Sequence, residues 1–252
     1  MDDIALTFDV PRSKLNISAV AKGLVAGAIS FCRRDGSLVD AATDREGILV
    51  PSLRDVLSVG MPAVKWVLVI EKEATFRSIA NSSFWTKVSG QGVIITGKGY
   101  PDIATRALLH FLSTPSPQNE FASPPVLGLV DFDPDGLAIL STYKYGSLAL
   151  AHESSDLRVP QLRWLGLRHE HMMLGEGDLH ATQGLLSLTP RDRAKAVKML
   201  ERGTFSGESE DGVALARALQ TMLMLNTKAE LQLLDAKPDG MQDLLRSALG
   251  DS

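Results

Sequence analysis

Carboxylates follow two apolar runs of the sequence, at the point where each run ends. Glu71 comes directly after Val67–Ile70, and Asp131 and Asp133 follow Leu127–Val130. Short continuous apolar runs are typical of buried strands of a parallel sheet, and ligands collect at the carboxyl ends of such strands. Oxygen donors without histidine or cysteine are the ligands that hydrated Mg²⁺ prefers. The spacing therefore predicts a magnesium site for phosphate chemistry, formed by Glu71, Asp131 and Asp133.

An ordinary turn is the competing interpretation of the segment from Asp131 to Gly136. Aspartate, proline and glycine are common turn residues after a strand, and an Asp-x-Asp pair alone is a turn signal. Glu71 at the end of a second strand favours the metal site. A lone buried carboxylate at Asp131 would also cost free energy, which argues against a purely structural role.

The elements that must position these carboxylates follow from the apolar pattern. Predicted strands alternate with predicted helices in the central part of the chain, which indicates an α/β fold with a mostly parallel, Rossmann-like sheet flanked by helices. The strands are predicted at 64–70, 92–96 and 125–130, and the helices at 74–80, 101–112 and 136–143. The proline-rich segment 113–125 is predicted to be a mobile surface loop.

The two ends of the chain differ from this core. Short strands at 17–20, 24–29 and 47–50 and a hairpin turn at Asp35–Gly36 make the beginning rich in β structure. We therefore predict three parts, which are a β-rich segment at 1–62, a metal-binding core at 63–160 and a largely helical part at 161–252.

The last part contains the strongest helix signals. Thr189 and Asp192 form a capping-box pattern at the start of a helix that continues to Leu200. A polar linker is predicted at 203–212, and an apolar helix for core or partner packing at 213–234.

Composition bounds the class of protein. The chain has 252 residues, of which 44% are hydrophobic and 22% charged, as in a soluble globular protein. The net charge of −4 predicts no global positive field, although a local basic groove is compatible with it. Cys32 is the only cysteine, which excludes an internal disulfide. No apolar stretch is long enough for a membrane span, and the acidic start at Met1–Asp9 does not resemble a signal peptide.

Other motifs give weaker signals. Gly92–Gly99 approaches a phosphate-binding P-loop, but its last residue is glycine, so the hydroxyl ligand for Mg²⁺ is missing. Lys98 in this segment suits a phosphodiester contact, and a plain tight turn is the alternative. His169–His171 has no third zinc ligand nearby in the sequence. Three arginines at intervals of five either line a groove or solvate a surface, namely Arg158, Arg163 and Arg168.

Five motifs together carry a resemblance to a known family. The chain resembles the metal-binding Toprim region of the A subunit of type IIB topoisomerases, and most of all their eukaryotic relatives that make meiotic double-strand breaks. The motifs occur in the family's order at 69–76, 97–106, 130–136, 145–147 and 228–232. The form Lys-Gly-Tyr-Pro-Asp at 98–102 favours the meiotic branch, whereas Asp135 departs from the residues often found at its position.

The resemblance implies a DNA-cleaving transesterase of the isomerase class. In such enzymes the Glu and both Asp of the Toprim motif bind Mg²⁺, for which Mn²⁺ can substitute, and this again indicates Glu71, Asp131 and Asp133. Predicted DNA-binding residues are Lys72, Lys98 and Arg106. A tyrosine forms a 5′-phosphotyrosyl link, and it belongs to a winged-helix domain that precedes the Toprim region.

The resemblance also implies that this chain is a fragment of a longer enzyme. Its only tyrosines lie inside Toprim motifs, at positions 100, 143 and 145. We therefore expect no catalytic residue in this chain, no cleavage by the chain alone, and a link to the missing domain through residues 1–62.

The partners implied by the resemblance are double-stranded DNA, a second copy of the chain in the active homodimer, meiotic accessory proteins and a topoisomerase VI B-like subunit. All of them are expected in the nucleus, and no membrane is involved. Three alternatives remain open. One is a Toprim-type metal-dependent nuclease or primase-like enzyme that uses a water nucleophile. The second is a non-catalytic module for dimerisation and partner recruitment. The third is a receiver-like or nucleotide-binding α/β domain, which would explain the strand-end acids but not the motifs at 99–102 and 228–232.

Overall fold

A six-stranded sheet forms the centre of the protein. The computed structural model describes residues 21–44, 46–61, 63–146, 157–172, 184–205, 210–236 and 239–249. In the central sheet the strands are ordered β4-β1-β7-β6-β8-β9. Their bounds are β1 Leu24–Gly27, β4 Ile48–Leu49, β6 Trp66–Ile70, β7 Gly92–Thr96, β8 Val126–Leu129 and β9 Arg163–Gly166.

The strand directions confirm the predicted α/β class. Strands β7, β6, β8 and β9 run parallel to one another, whereas β1 is antiparallel to β7 and β4 is antiparallel to β1. Every residue of β6, β7 and β8 is buried, which explains their continuous apolar runs. Ile70 pairs with both Thr96 and Leu129, so the residues that follow these three strands lie at one edge of the sheet.

Eight α-helices flank or follow this sheet in the described residues. They are α1 Glu73–Ala80, α2 Ser83–Val88, α3 Ile103–Ser113, α4 Pro134–Tyr145, α5 His169–Met172, α6 Pro190–Glu201, α7 Glu210–Leu225 and α8 Gly240–Leu249. Helix α4 packs closely on β8, because a Cβ on Gly128 would lie 2.4 Å from Leu140 Cδ2. None of the helices in the described ranges is long and apolar enough to cross a bilayer.

The early β structure is divided between two sheets. Strands β2 Ser30–Arg33, β3 Leu38–Asp40 and β5 Val56–Gly60 form a separate antiparallel sheet in the order β3-β2-β5. The predicted hairpin turn is confirmed, since Gly36 has a φ of 83° between β2 and β3. The strand predicted at 24–29 ends earlier, at Gly27, where φ is 118°. The strand predicted at 17–20 lies outside the described residues.

Two predicted helix boundaries are corrected. The helix predicted from Pro101 begins at Ile103, because Asp102 is its N-cap and accepts the Thr105 N–H at 2.8 Å. The helix predicted at 136–143 is longer and begins at Pro134, with Asp133 as N-cap. By contrast, the capping box of Thr189 and Asp192 at the start of α6 is confirmed.

The long apolar helix predicted at 213–234 is wrong in its second half. Helix α7 ends at Leu225, and Asn226 adopts a left-handed conformation with a φ of 51°. Strand β11 Thr227–Ala229 then pairs with β10 Leu185–Ser187, and a 3₁₀ helix follows at Leu231–Ala236. The apolar residues continue past the end of α7, so their pattern alone conceals the turn.

The proline-rich segment is anchored by one buried side chain. A short 3₁₀ helix occupies Pro117–Asn119, and the Asn119 side chain donates to the carbonyls of Phe111 and Thr114 at 2.8 and 2.9 Å. The three-part division of the chain stays a prediction. The central sheet itself takes strands from both sides of residue 62 and of residue 160.

Candidate metal centre

The parallel register brings the strand-end carboxylates together. Glu71 follows β6, and its Oε2 accepts the backbone N–H of Asp131 at 2.9 Å. Asp133 caps α4 by accepting the Gly136 N–H at 2.6 Å. A Cβ on Gly136 would lie 2.5 Å from the Asp131 carbonyl oxygen and 3.1 Å from Glu71 Oε2. Only glycine therefore lets the first turn of α4 approach both residues so closely.

The electrostatics of the three carboxylates are unfavourable as long as no cation is close to all of them. Burial, together with the charges of Asp131 and Asp133, raises the pKa of Glu71 to about 8. Burial also raises the pKa of Asp133, and the Gly136 N–H only partly opposes this. In Glu71 and Asp133, desolvation and like charges both favour the protonated form, so ionising these two carboxyls costs free energy.

A segment that follows α7 completes the site. Phe132 and Ala229 exchange two backbone hydrogen bonds of 2.9 and 3.0 Å, and the Leu231 N–H donates to Asp131 Oδ1 at 2.9 Å. This contact places Glu230 beside the site, with its Oε1 3.6 Å from the Lys72 ammonium. Sequence reasoning missed Glu230 as a site residue, although the motif at 228–232 contained it, because the segment was assigned to a helix.

The predicted DNA-binding cations occupy three different environments. The Lys72 ammonium lies 2.8 Å from Asp131 Oδ2 and 3.6 Å from Glu230 Oε1, inside the carboxylate cluster. Lys98 lies at the rim in a left-handed turn and pairs with Glu73 at 3.1 Å. Arg106 is only 3% exposed, so the structure does not bring it to the surface with the two lysines.

The turn that contains Lys98 is fixed to the backbone of Glu71. Thr96 Oγ1 and the Gly99 N–H both donate to the Glu71 carbonyl, at 3.2 and 2.9 Å. Lys98 and Gly99 have φ values of 53° and 89°, so the segment is a tight left-handed turn. The rim of the site is therefore coupled to the strand that ends in Glu71.

Asp135 has its own counter-charge. Lys195 of α6 pairs with Asp135 and donates to the Tyr100 hydroxyl at 2.6 Å, and that hydroxyl donates to Asp135 at 3.3 Å. The Lys195 ammonium also lies 5.3 Å from the centre of the Tyr100 ring. The aspartate that departs from the family pattern is thus neutralised from α6.

Two of the three tyrosines are poorly suited to attack a phosphate. Tyr143 is buried, and burial raises the pKa of its hydroxyl far above the usual value. Burial also raises the pKa of Tyr100, against the opposing effect of Lys195. A tyrosine nucleophile needs its hydroxyl accessible and readily deprotonated. Tyr145 at the end of α4 is 37% exposed.

A basic cavity lies between α4 and α6, beside the contact of Lys195 with Tyr100. Its volume is about 300 Å³. It is lined by Lys195 and Lys198 of α6, by Arg202 at the C-cap of that helix, by Tyr100 and by small residues of α4. Within the described part of the chain, Lys198 and Arg202 take part in none of the ion pairs, and both are exposed. This surface was not predicted from the sequence.

The carboxylate oxygens of this site are of the kind that Mg²⁺ prefers, but other groups of the protein already occupy them. Burial and like charges raise the pKa of Glu71 and of Asp133, and a divalent cation would offset both effects. Among the described residues, however, no three acidic, histidine or cysteine side chains surround one metal position. Both oxygens of Asp131 are taken, one by the Leu231 N–H and the other by Lys72.

The remaining sequence motifs have local roles in the structure. His171 Nδ1 accepts the Arg168 N–H at 3.1 Å, which caps the short helix α5. The Arg168 guanidinium lies 5.1 Å from the Trp164 ring and donates to the Trp164 carbonyl. Arg158 and Arg163 are exposed, and their use as a groove stays a prediction.

Comparison with known proteins identifies one family. Residues 66–244 match the family model for the Toprim domain of topoisomerase 6 A subunits and Spo11. The chain is 35% identical over 240 residues to "Meiotic recombination protein SPO11-1" of Oryza sativa subsp. indica, covering 94% of this chain and 58% of the relative. It is 35% identical over 203 residues to "Meiotic recombination protein SPO11" of Homo sapiens, covering 80% and 48%.

A topoisomerase is comparably similar. The chain is 33% identical over 242 residues to the A3 subunit of DNA topoisomerase 6 from Oryza sativa subsp. indica, covering 94% of this chain and 50% of that protein. The chain thus spans about half the length of the relatives it matches.

Proposed function

This chain belongs to the family of topoisomerase 6 A subunits and Spo11 proteins, and from that premise we propose that it is the Mg²⁺-binding half of a DNA-cleaving transesterase. The observation that carries the proposal is the contact of Glu71 with Asp131 across two parallel strand ends, with the pKa of Glu71 raised to about 8. Placing these acidic side chains close together costs free energy, which a bound cation would offset.

The metal ligands in this proposal are Glu71, Asp131 and Asp133. A divalent cation held by them would stabilise the charge that develops on phosphodiester oxygens during attack. The chain's own residues orient these groups: the Asp131 N–H holds Glu71, the Leu231 N–H holds Asp131, and the Gly136 N–H holds Asp133. Each carboxylate therefore keeps one fixed orientation before any ligand arrives.

Double-stranded DNA is the proposed substrate. The cavity beside α6 supports this, because Lys198 and Arg202 form no ion pair with any described residue, and such cations are suited to contact phosphates. Lys98 at the rim and Lys72 are further proposed contacts. Arg106 of α3 is buried, and its guanidinium lies near Gly146 at the end of α4, so we propose for it a supporting position instead of a direct phosphate contact.

We further propose that the nucleophilic tyrosine lies outside this chain. The burial of Tyr143 and the raised pKa of Tyr100 support this. The chain by itself would then bind metal and DNA without cutting. The complete enzyme would act as a nuclear homodimer with meiotic accessory proteins and a topoisomerase VI B-like subunit, and would make meiotic double-strand breaks. The Lys-Gly-Tyr-Pro-Asp form at 98–102 favours this role over strand passage by a topoisomerase.

Calorimetric titration with Mg²⁺ and Mn²⁺ tests the proposal. We expect the wild-type chain to bind, and Asp131→Asn and Glu71→Gln each to weaken binding by at least about tenfold, because both remove a ligand of the same site. Asp55→Asn, an exposed aspartate outside the central sheet, is the matched control and should bind like the wild type. The proposal fails if no metal binds or if the ligand variants bind normally.

Cleavage of supercoiled DNA by the same preparations separates the alternatives. We expect no cleavage by the chain in Mg²⁺. Cleavage that Glu71→Gln abolishes and that leaves no protein linked to DNA would favour the metal-dependent nuclease. Absence of both metal and DNA binding would favour the non-catalytic module.

A further inference from the structure

Lys72 places a positive charge inside the carboxylate cluster. Its ammonium lies 2.8 Å from Asp131 Oδ2, and the Asp131 side chain is only 5% exposed. Lys72 is the N-cap of α1 and immediately follows Glu71, so its backbone is fixed beside the site. The ammonium also lies 3.6 Å from Glu230 Oε1, so carboxylates from two different segments face it.

We propose that Lys72 is a built-in counter-cation that must leave Asp131 before a divalent ion binds there, and that Glu230 receives it. This inference rests on the proposed metal site. Asp131 Oδ1 already accepts the Leu231 N–H, so Oδ2 is the oxygen left for a metal. A metal ion and an ammonium group at the same oxygen would repel each other strongly in a site of low dielectric constant. Binding of the ion thus requires displacement of Lys72.

Glu230 is placed to receive the displaced lysine. Its Oε1 lies 3.6 Å from the Lys72 ammonium, and its side chain is 44% exposed and so has room to adjust. Its backbone is fixed, because the Glu230 N–H donates to the Gly184 carbonyl at 3.1 Å and the next residue holds Asp131. The flexible lysine side chain can exchange one carboxylate for the other without movement of α1. Glu230 is thus a positioning residue for metal entry.

Calorimetry of metal binding with four single variants gives the first test. Lys72→Met should bind Mn²⁺ about five- to tenfold more tightly, because the competing cation is gone. Glu230→Gln should bind several-fold more weakly, because Lys72 then stays on Asp131. Arg246→Met and Asp243→Asn are the matched controls, since they form an exposed pair at 3.0 Å on α8. Both controls should change the affinity by less than about twofold.

The double variant Lys72→Met/Glu230→Gln is decisive. If Glu230 acts by receiving Lys72, its substitution has no effect once Lys72 is absent, and the double variant binds like Lys72→Met. If Glu230 attracts the metal directly, the loss persists and the inference is overturned. If the wild type binds the metal and Lys72→Met binds it with the same affinity, the inference is overturned but the proposed metal site is not. Absence of binding in every variant would overturn the proposed metal site as well, and circular dichroism confirms that each variant is folded.

Discussion

Glu71 shows how a single residue couples the candidate site to pH. Burial and the charges of Asp131 and Asp133 raise its pKa from 4.5 to about 8. The folded state then binds a proton that the unfolded chain releases above pH 4.5, so the free energy of unfolding falls as the pH rises toward 8. Retaining a glutamate here therefore costs stability under ordinary conditions, as is expected of a residue kept for function.

Glu71→Gln should make the metal-free protein more stable at alkaline pH. Glutamine keeps an oxygen for the Asp131 N–H but carries no charge. We expect the free energy of unfolding to exceed that of the wild type by roughly 2–4 kcal/mol above pH 8, and the gain to vanish below about pH 4.5. Urea denaturation in EDTA at pH 5 and pH 8.5 measures the difference. An equal effect at both pH values would contradict the raised pKa.

At the scale of the element, α6 combines a structural and a charged face. Asp192 at its first turn completes the capping box with Thr189 and pairs with Lys228 of β11 at 2.8 Å. This pair fixes the segment that holds Asp131. The charged face is formed by later turns of α6, where Lys195 and Lys198 line the cavity.

Lys198→Gln/Arg202→Gln should weaken DNA binding at low salt. Lys198 on α6 and Arg202 at its C-cap are both exposed and are proposed to contact phosphates. We expect affinity for duplex DNA to fall by about 5- to 20-fold, and the slope of log K against log salt concentration to decrease by up to about 2. Fluorescence anisotropy over a series of salt concentrations measures both.

The control carries the same charge change on other helices. Lys87→Gln/Arg217→Gln removes one exposed lysine from α2 and one exposed arginine from α7. If this variant loses as much affinity as the α6 variant, net charge and not the cavity determines binding.

At the scale of the whole molecule, the central sheet joins distant parts of the sequence. Strand β1 pairs with β7 through four residues and is entirely buried, although it belongs to the predicted segment 1–62. The three tryptophans lie far from it in the sequence, at positions 66, 85 and 164. All three tryptophans therefore lie in the part of the chain that follows residue 62.

Val25→Ala in β1 should lower the stability reported by the tryptophans. Val25 is fully buried, so the smaller side chain leaves a cavity in the shared core. We expect the urea midpoint to fall by an amount equivalent to about 1–3 kcal/mol, equally in fluorescence and circular dichroism. Leu38→Ala, at a residue that is 69% exposed, is the control and should change little. Separate transitions for the two probes would indicate that the early strands fold independently.

The sequence by itself determined the parallel core and its strand-end acids. The apolar runs before Glu71 and Asp131 predict buried strands, because every residue of a strand covered on both faces must be apolar. Parallel strands end at one edge, so the proximity of these two acids followed from a local pattern. The cap formed by Thr189 followed in the same way from neighbouring residues.

Only the tertiary structure decided how the site is closed. The Leu231 N–H reaches Asp131 across 100 residues of sequence, and Glu230 reaches Lys72 through the same contact. The turn at Asn226 that allows this interrupts an apolar pattern that continues without a break. The burial of Arg106 and the cavity beside α6 likewise arise from packing between distant elements. Periodicity along a chain records which faces are buried, but the segments that meet at one edge depend on how those faces pack together.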